Sequence, residues 1–299
     1  MANSEQVEIE GVRISHADRV VFPEAGLTKG DVARWYGLAA DRLLAFAADR
    51  PASLVRCPDG IAGDCFFQKH AGQLPDAIET IAITEKDGKK ADYIVISDRK
   101  SLIAAAQMGM IEIHAWGARR DRIEQPDRMV LDLDPDASIG FDAVKQAAGD
   151  IRDLLREVGL TSFPLLTGGK GVHVIVPLER RQSWDELGDV ARGVARSLEA
   201  AASDKYVSSA PKEKRRNRIF IDWLRNRRGA TSVVPYSVRA RKGAPVAMPV
   251  SWEELAQIGA ANAFRIGNAE ARLTADPWPD YSGVRQSLTR AIIDRFADV

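Results

Sequence analysis

The stretch RMVLDLDPD, residues 128–136, decides how this chain reads. RMVLDLD (128–134) has the character of a strand, in which successive side chains point to opposite faces. Asp132 and Asp134 therefore share one face, and Leu131 and Leu133 the other. Two carboxylates set side by side repel, and one gains affinity for a proton, unless a cation relieves them. Hard oxygen donors on a rigid element suit Mg²⁺ or Mn²⁺. The competing reading is a strand ending in an acidic turn, with Asp134 or Asp136 capping the next helix.

Outward from this strand the chain alternates. The apolar spacing predicts a helix over 141–159, closed by Gly159, strands at 163–166 and 172–178, and a helix over 184–202. Strands at 218–223, 231–238 and 244–249 follow, and then a helix at 251–258 with Ser251 and Glu254 at capping-box spacing. Upstream, a helix over 30–48 takes Thr28 as N-cap, strands fall at 52–56, 81–83, 92–97 and 110–116, and a helix at 100–107 precedes the last of these. This order gives an α/β (α+β) fold, with a mostly antiparallel central sheet flanked by helices and a smaller N-terminal α/β lobe. One large domain over 1–299 or two tightly joined lobes fit the length; neither repeats nor long linkers divide it.

Two further segments bear chemistry. LLTGGKGVHVIVPL (165–178) joins two strands through Thr-Gly-Gly-Lys-Gly, whose backbone can turn and offer N–H groups to an anion. Thr167 adds a hydroxyl, Lys170 a charge and His173 a ring donor, a set that suits a triphosphate. It lacks Walker A spacing, and a plain glycine-rich hairpin is the alternative. In RIFIDWLRNRR (218–228) Asp222 interrupts an apolar strand and is costly there unless paired or metal-bound. Arg225 is either its ion-pair partner or, with Arg239, a grip on phosphate.

Composition narrows the function. The chain is 45% hydrophobic and 28% charged, an ordinary globular balance. Lys+Arg and Asp+Glu are both 42, so no overall basic excess marks a nucleic-acid partner. The basic residues are instead concentrated: eight lie between Lys212 and Arg228, bracketing the IFIDWL strand. No apolar run is long enough to cross a membrane, and MANSEQVEIEG lacks a leader's apolar core. Cys57 and Cys65, eight positions apart, have no metal-type companions; a disulfide between them is open, and reduced thiols in a cytoplasmic protein are the expected state.

DLD (132–134), TGGKGVH (167–173) and the strand-borne Asp222 resemble the three motifs of the archaeo-eukaryotic primase superfamily. More narrowly, FFQKH (66–70), EIHAWG (112–117), the 230–255 stretch and the N-terminal HADRVVFPEAGLTKGDVARWY resemble the polymerase domain of bacterial ligase D, over nearly the whole chain. The resemblance implies a primase-polymerase fold and a nucleotidyltransferase that extends DNA 3′ ends and fills gaps with NTPs or dNTPs in non-homologous end joining. It implies that Asp132, Asp134 and Asp222 hold two divalent metals, Mn²⁺ in preference to Mg²⁺. Thr167, Lys170, His173, Arg225 and Arg239 would contact the nucleotide, with His114 near the active centre. Thr167 stands where the family often has Ser. Arg19 and Lys29 would hold the 5′-phosphate of gapped DNA, Phe66 and Phe67 would stack on a template base, and the loop with Arg215 and Arg216 would help hold broken ends. Bacterial Ku and ligase and phosphoesterase modules are the implied partners, in a cytoplasmic, nucleoid-associated setting. A catalytically silent DNA-end-binding module of the same fold, or a nuclease using the same acids, are the competing functions.

Overall fold

The computed structural model describes residues 6–297; residues 1–5, part of the stretch read as lacking a leader core, lie outside the described residues, as do 298 and 299. In chain order the first elements are β1 (Val7–Ile9), β2 (Val12–Ile14), β3 (Val20–Phe22), β4 (Leu27–Thr28), α1 (Lys29–Ala47) and β5 (Pro51–Arg56). Then come β6 (Phe66–Gln68), β7 (Glu79–Thr84), β8 (Lys90–Val95), α2 (Arg99–Gln107), β9 (Met110–Ala115), β10 (Arg128–Pro135) and α3 (Phe141–Glu157). β11 (Phe163–Leu166), β12 (Val172–Pro177), α4 (Trp184–Ala201), β13 (Tyr206–Val207) and β14 (Ile219–Asp222) follow. The chain ends with β15 (Ser232–Val233), β16 (Met248–Pro249), α5 (Trp252–Gln257), α6 (Ile266–Ala269) and α7 (Arg290–Ala297).

These elements form two compact units. The first comprises Met1–Asp121, Val233–Met248 and Phe264–Asp276; the second comprises Arg122–Ser232, Pro249–Ala263 and Pro277–Val299. The units are nearly equal in length, whereas the sequence suggested a smaller N-terminal lobe, because two late segments return to the first unit.

In the first unit the sheet runs β15-β9-β5-β8-β7, with β6 on β5. β5 is its hub, pairing antiparallel with β6, β8 and β9. The helix starts are local chemistry. Thr28 accepts from the Asp31 N–H while the Asp31 carboxylate takes the Thr28 N–H at 2.8 Å, and Asp98 and Ser101 do the same for α2. α1 buries Val32, Trp35, Tyr36, Ala39 and Leu43 and packs against α2. The predicted strand over 231–238 shortens to β15. Pro235 has no N–H and Tyr236 turns to φ 68°, so the ladder stops; the Ile113 N–H then finds the Ser237 hydroxyl at 2.9 Å instead of a backbone partner. The predicted strand over 244–249 likewise contracts to β16.

Cys57 and Cys65 form a disulfide, their Cα atoms 4.3 Å apart, which corrects the expectation of two reduced thiols. The cause is the hairpin. Arg56 of β5 lies opposite Phe66 of β6, so the residues just beyond, 57 and 65, face each other across the loop mouth.

In the second unit the sheet runs β13-β14-β10-β12-β11-β16. β10 pairs antiparallel with β12 and β14, β11 with β12, and only β13 joins β14 in parallel. Met129, Leu131, Leu133, Val172, Val174 and Val176 are fully buried. Each contributes on the order of 1.5–3 kcal/mol by leaving water. α3 and α4 pack on this sheet, and α7 seats against α4 at Gly193, where a Cβ would lie 2.2 Å from the Phe296 carbonyl oxygen. No helix of the described residues is long and apolar enough to cross a membrane.

Candidate active site

Register explains why three distant residues meet. β10 lies between β12 and β14, and Asp132 is the register partner of both His173 on one side and Asp222 on the other. Directly opposed residues project to the same face, so His173, Asp132 and Asp222 form a row across three strands. Asp134, two residues along β10, lies on the same face, as the alternation of the sequence required.

The carboxylates are linked by cationic side chains. Arg225, on the short turn after β14, lies 3.2 Å from Asp132 and 3.2 Å from Asp222. The ring of His173 approaches Asp132 at 3.4 Å, and Arg215 binds Asp134 at 2.9 Å. The Leu224 N–H donates to Asp222 at 3.0 Å. Burial disfavours the charge on Asp132, but His173 and Arg225 more than offset it and hold the carboxyl well below its usual range. Burial pushes Asp134 up, reinforced by the charge of Asp132 and only partly relieved by Arg215, Arg225 and Lys170. Asp222 is also pushed up by burial, with Arg225 pulling back and Asp132 adding to the rise. The first acid is thus firmly ionised, while the other two retain proton affinity that further positive charge would relieve.

The glycine-rich hairpin lies against β10. A Cβ on Gly171 would lie 2.0 Å from the Leu133 carbonyl oxygen, so only glycine lets the backbone pass. Thr167 is buried, its hydroxyl donating to the Gly171 carbonyl at 2.9 Å and accepting from the Gly169 N–H at 3.3 Å, which closes the turn. Lys170 is exposed. His173 is buried, and its Nδ1 has no hydrogen-bond partner, which leaves an orphaned polar atom beside the acids.

The donors suit a divalent cation in kind. They are hard oxygens on strands, two of the three already share one cationic group, and the third lies on their face. Their oxygens do not close on one point, however. No group of three or more His, Cys, Asp or Glu among the described residues is arranged to hold a metal ion, and Arg225 and Arg215 lie on the carboxylates instead. The helix-capping alternative is not realised: Gly140 is the N-cap of α3, and Asp136 accepts from the N–H and hydroxyl of Ser138.

The remaining predicted residues other than Arg216 belong to the first unit. On β9, Glu112 and His114 share a face, and the Glu112 carboxylate takes His114 Nε2 at 2.7 Å, Arg239 Nε at 2.9 Å and the Ala240 N–H at 2.7 Å. Phe67 meets the His114 ring edge-on at 5.6 Å. Phe66 and Phe67 are 46% and 68% exposed, unusually open for such side chains, with the Arg56 guanidinium over the Phe66 ring. Arg19 and Lys29 also meet: the Lys29 N–H donates to the Arg19 carbonyl at 2.8 Å, and its ammonium donates to the Ser15 carbonyl at 3.0 Å.

Much of the basic run is engaged within its own unit. Arg227 pairs with Asp189, Arg228 grips Glu124 through two nitrogens, and Arg215 stacks on Phe220 at 3.8 Å besides binding Asp134. Arg216 remains exposed. Sequence reasoning missed Glu112 and Asn226. Glu112 carries the signal that singled out Asp222, a charge inside an apolar strand. Asn226, buried at 1% exposure, accepts from the Val130 N–H and donates to the Val130 and Trp223 carbonyls, and nothing in its neighbours announces this.

An acid-bearing antiparallel sheet with a glycine-rich hairpin beside its paired aspartates is the architecture of a primase-polymerase domain. The chain belongs to the LigD primase-polymerase domain family, whose model matches residues 28–278. It is 40% identical over 97% of its length to the multifunctional non-homologous end joining protein LigD of Pseudomonas aeruginosa, and 34% identical over 83% to that of Mycolicibacterium smegmatis. It spans about a third of the length of each, 35% and 33%. The solved polymerase domain of Mycobacterium tuberculosis ligase D, in complex with DNA, matches with a TM-score of 0.83 at 28% identity, covering 95% of this chain and 98% of that one.

Proposed function

We propose that the chain is a metal-dependent nucleotidyltransferase that extends DNA 3′ ends and fills gaps with NTPs or dNTPs during non-homologous end joining. The observation that carries this reading is the row of His173, Asp132 and Asp222 across three strands, with Asp134 on the same face and Arg225 shared by two of the acids. Asp132, Asp134 and Asp222 would hold two divalent ions, Mn²⁺ in preference to Mg²⁺. Such ions, when bound, activate a hydroxyl and neutralise phosphate charge. Around them the chain positions and neutralises. Arg225 leaves the carboxylates and turns its planar fork to the triphosphate. Lys170, exposed at the hairpin tip, and His173, with its unused Nδ1, offset charge on the outer phosphates. Thr167 holds the hairpin shut and contacts the nucleotide through the turn it closes. His114 and Arg239 belong to the same proposal as nucleotide contacts. Arg19 and Lys29 hold a 5′-phosphate, Phe66 and Phe67 stack on a base, and Arg215 and Arg216 contact a DNA end.

The names of the relatives, a non-homologous end joining protein and a ligase D polymerase domain in complex with DNA, support DNA as the substrate. Gapped duplex, Ku and ligase and phosphoesterase modules as partners, and a cytoplasmic, nucleoid-associated place of work belong to the same proposal. The test is a labelled gapped duplex with Mn²⁺, with and without NTPs. The wild type should lengthen the primer, and Asp132→Ala should abolish lengthening while DNA binding stays within a few-fold. Robust extension by Asp132→Ala would end the assignment. A catalytically silent end-binding module is the second reading, favoured by the pairing of the carboxylates with Arg225 and Arg215. It predicts DNA binding with no change in primer length, and no binding of Mn²⁺ by titration calorimetry.

A further inference from the structure

Glu112 is 5% exposed, sits mid-strand on β9 and is ionised. Burial works against its charge, but the His114 hydrogen bond and the Arg239 guanidinium outweigh it and bring the carboxyl down to about 2. A buried carboxylate is costly, and replacing the whole Glu112–His114–Arg239 cluster by apolar side chains of similar volume would leave the fold about as stable, so the cluster calls for an explanation beyond packing. Its three partners give one. An ionised carboxylate only accepts, so His114 Nε2 must carry a proton and donate to it. The same oxygen, Oε2, takes Arg239 at Nε, while Oε1 takes the Ala240 N–H and pins the backbone that bears Arg239. One side chain therefore fixes a ring on β9 and a guanidinium on the returning segment relative to each other. His114 is steadied from a second direction by the edge of Phe67.

We propose that Glu112 is a positioning residue that holds the Arg239 guanidinium and the imidazolium form of His114 as a preset pair of cationic groups for the phosphates of a nucleoside triphosphate. The inference rests on the nucleotide-binding reading given above and deepens it. Glu112 touches no nucleotide; it acts through its two neighbours. Its charge alone works the other way, because a negative group weakens the local attraction for a polyanion. The benefit is orientation: long, flexible donors are held in place before the ligand arrives.

The decisive variant is Glu112→Gln. Its amide oxygen can still accept from Ala240, but the amide NH₂ then faces two other donors, so His114 and Arg239 lose their common anchor. Binding of a non-hydrolysable NTP in Mn²⁺, measured by titration calorimetry, should weaken about tenfold or more, the range for loss of hydrogen bonds to charged groups. Under steady state KM should rise more than kcat falls. Glu112→Gln added to the double variant His114→Ala/Arg239→Ala should cost no further binding, whereas Glu112→Gln/Lys170→Ala should show the two losses added. Imidazole ¹⁵N spectra should show His114 changing its protonation pattern in Glu112→Gln. Unchanged or tighter NTP binding by a folded Glu112→Gln overturns the inference alone. Wild-type protein that binds no NTP overturns the nucleotide-binding reading and this inference with it.

Discussion

Lys29 illustrates how far a single residue can be tuned. Half-buried beside Arg19, its ammonium is brought down to about 8 by burial first and by the arginine's charge second. The group is a base, so its charged form persists below about 8 and is lost as pH rises through it; in the unfolded chain the charge survives to its ordinary value of about 10.4. Between these points the unfolded state holds more protons, so Lys29 contributes a stability that increases with pH. Phosphate binding runs the opposite way, because the bound anion needs the ammonium. The preference for gapped DNA with a 5′-phosphate over the same DNA without it should rise to about pH 7 as the phosphate takes its second charge and decline from about pH 8 as Lys29 loses its own. Lys29→Arg, charged throughout, should flatten the decline. Anisotropy titrations of both DNAs from pH 6.5 to 9.5 would test this, and a preference indifferent to pH would remove Lys29 from the phosphate site. Asp132 teaches a related lesson. Its position was legible from alternation alone, but the residues that neutralise it were not, since Arg225 lies 93 positions away and reaches it only through strand register.

Among the elements, β10 depends on a side chain as much as on its strand partners. Its pairing with β14 runs from Pro135 to Asp132 and stops, leaving Val130 without a backbone partner on that side. Asn226 replaces the missing strand, its amide taking the Val130 N–H at 2.7 Å and giving to the Val130 carbonyl at 2.7 Å. Asn226→Ala strands two buried backbone groups next to the acid row. It should cost about 2–4 kcal/mol in urea unfolding, with the midpoint falling and the slope unchanged. A loss under about 1 kcal/mol would mean that water takes over the amide's role. The elements that sequence reasoning placed well carry their own signals within a few residues. The helices at Thr28 and Ser251 start with capping boxes, and α3 is followed by Gly159 at φ 80°. Where it failed, the determinant was remote or geometric. The 231–238 segment has strand composition, yet a positive φ at Tyr236 and the hydroxyls of Ser237 and Tyr36 replace its ladder. The disulfide depends on the register of β5 with β6, which an eight-residue spacing does not reveal.

For the molecule as a whole, charge is the revealing quantity. With 42 basic and 42 acidic residues the chain has no net field to draw DNA in, and the structure shows where the apparent basic run went. Arg227, Arg228 and Arg225 are spent on Asp189, Glu124 and the acid row, all inside one unit. The residues proposed to meet DNA phosphate are few and local: Lys29 and Arg19 in the first unit, the latter also facing Asp59 at 3.5 Å, and in the second Arg216, with Arg215 when it leaves Asp134. Binding led by about three or four phosphate contacts should lose affinity with a log–log salt slope of about −3, or roughly fiftyfold to a hundredfold between 50 and 200 mM salt. Non-specific binding through a broad basic face would give a slope of −6 or steeper. Anisotropy of a fluorescent gapped duplex across that salt range separates the two, and the same titration on Lys29→Ala should flatten the slope by about 1 only when the 5′-phosphate is present. A slope that is steep and insensitive to Lys29 would mean that the zero net charge conceals a basic surface other than the residues named here.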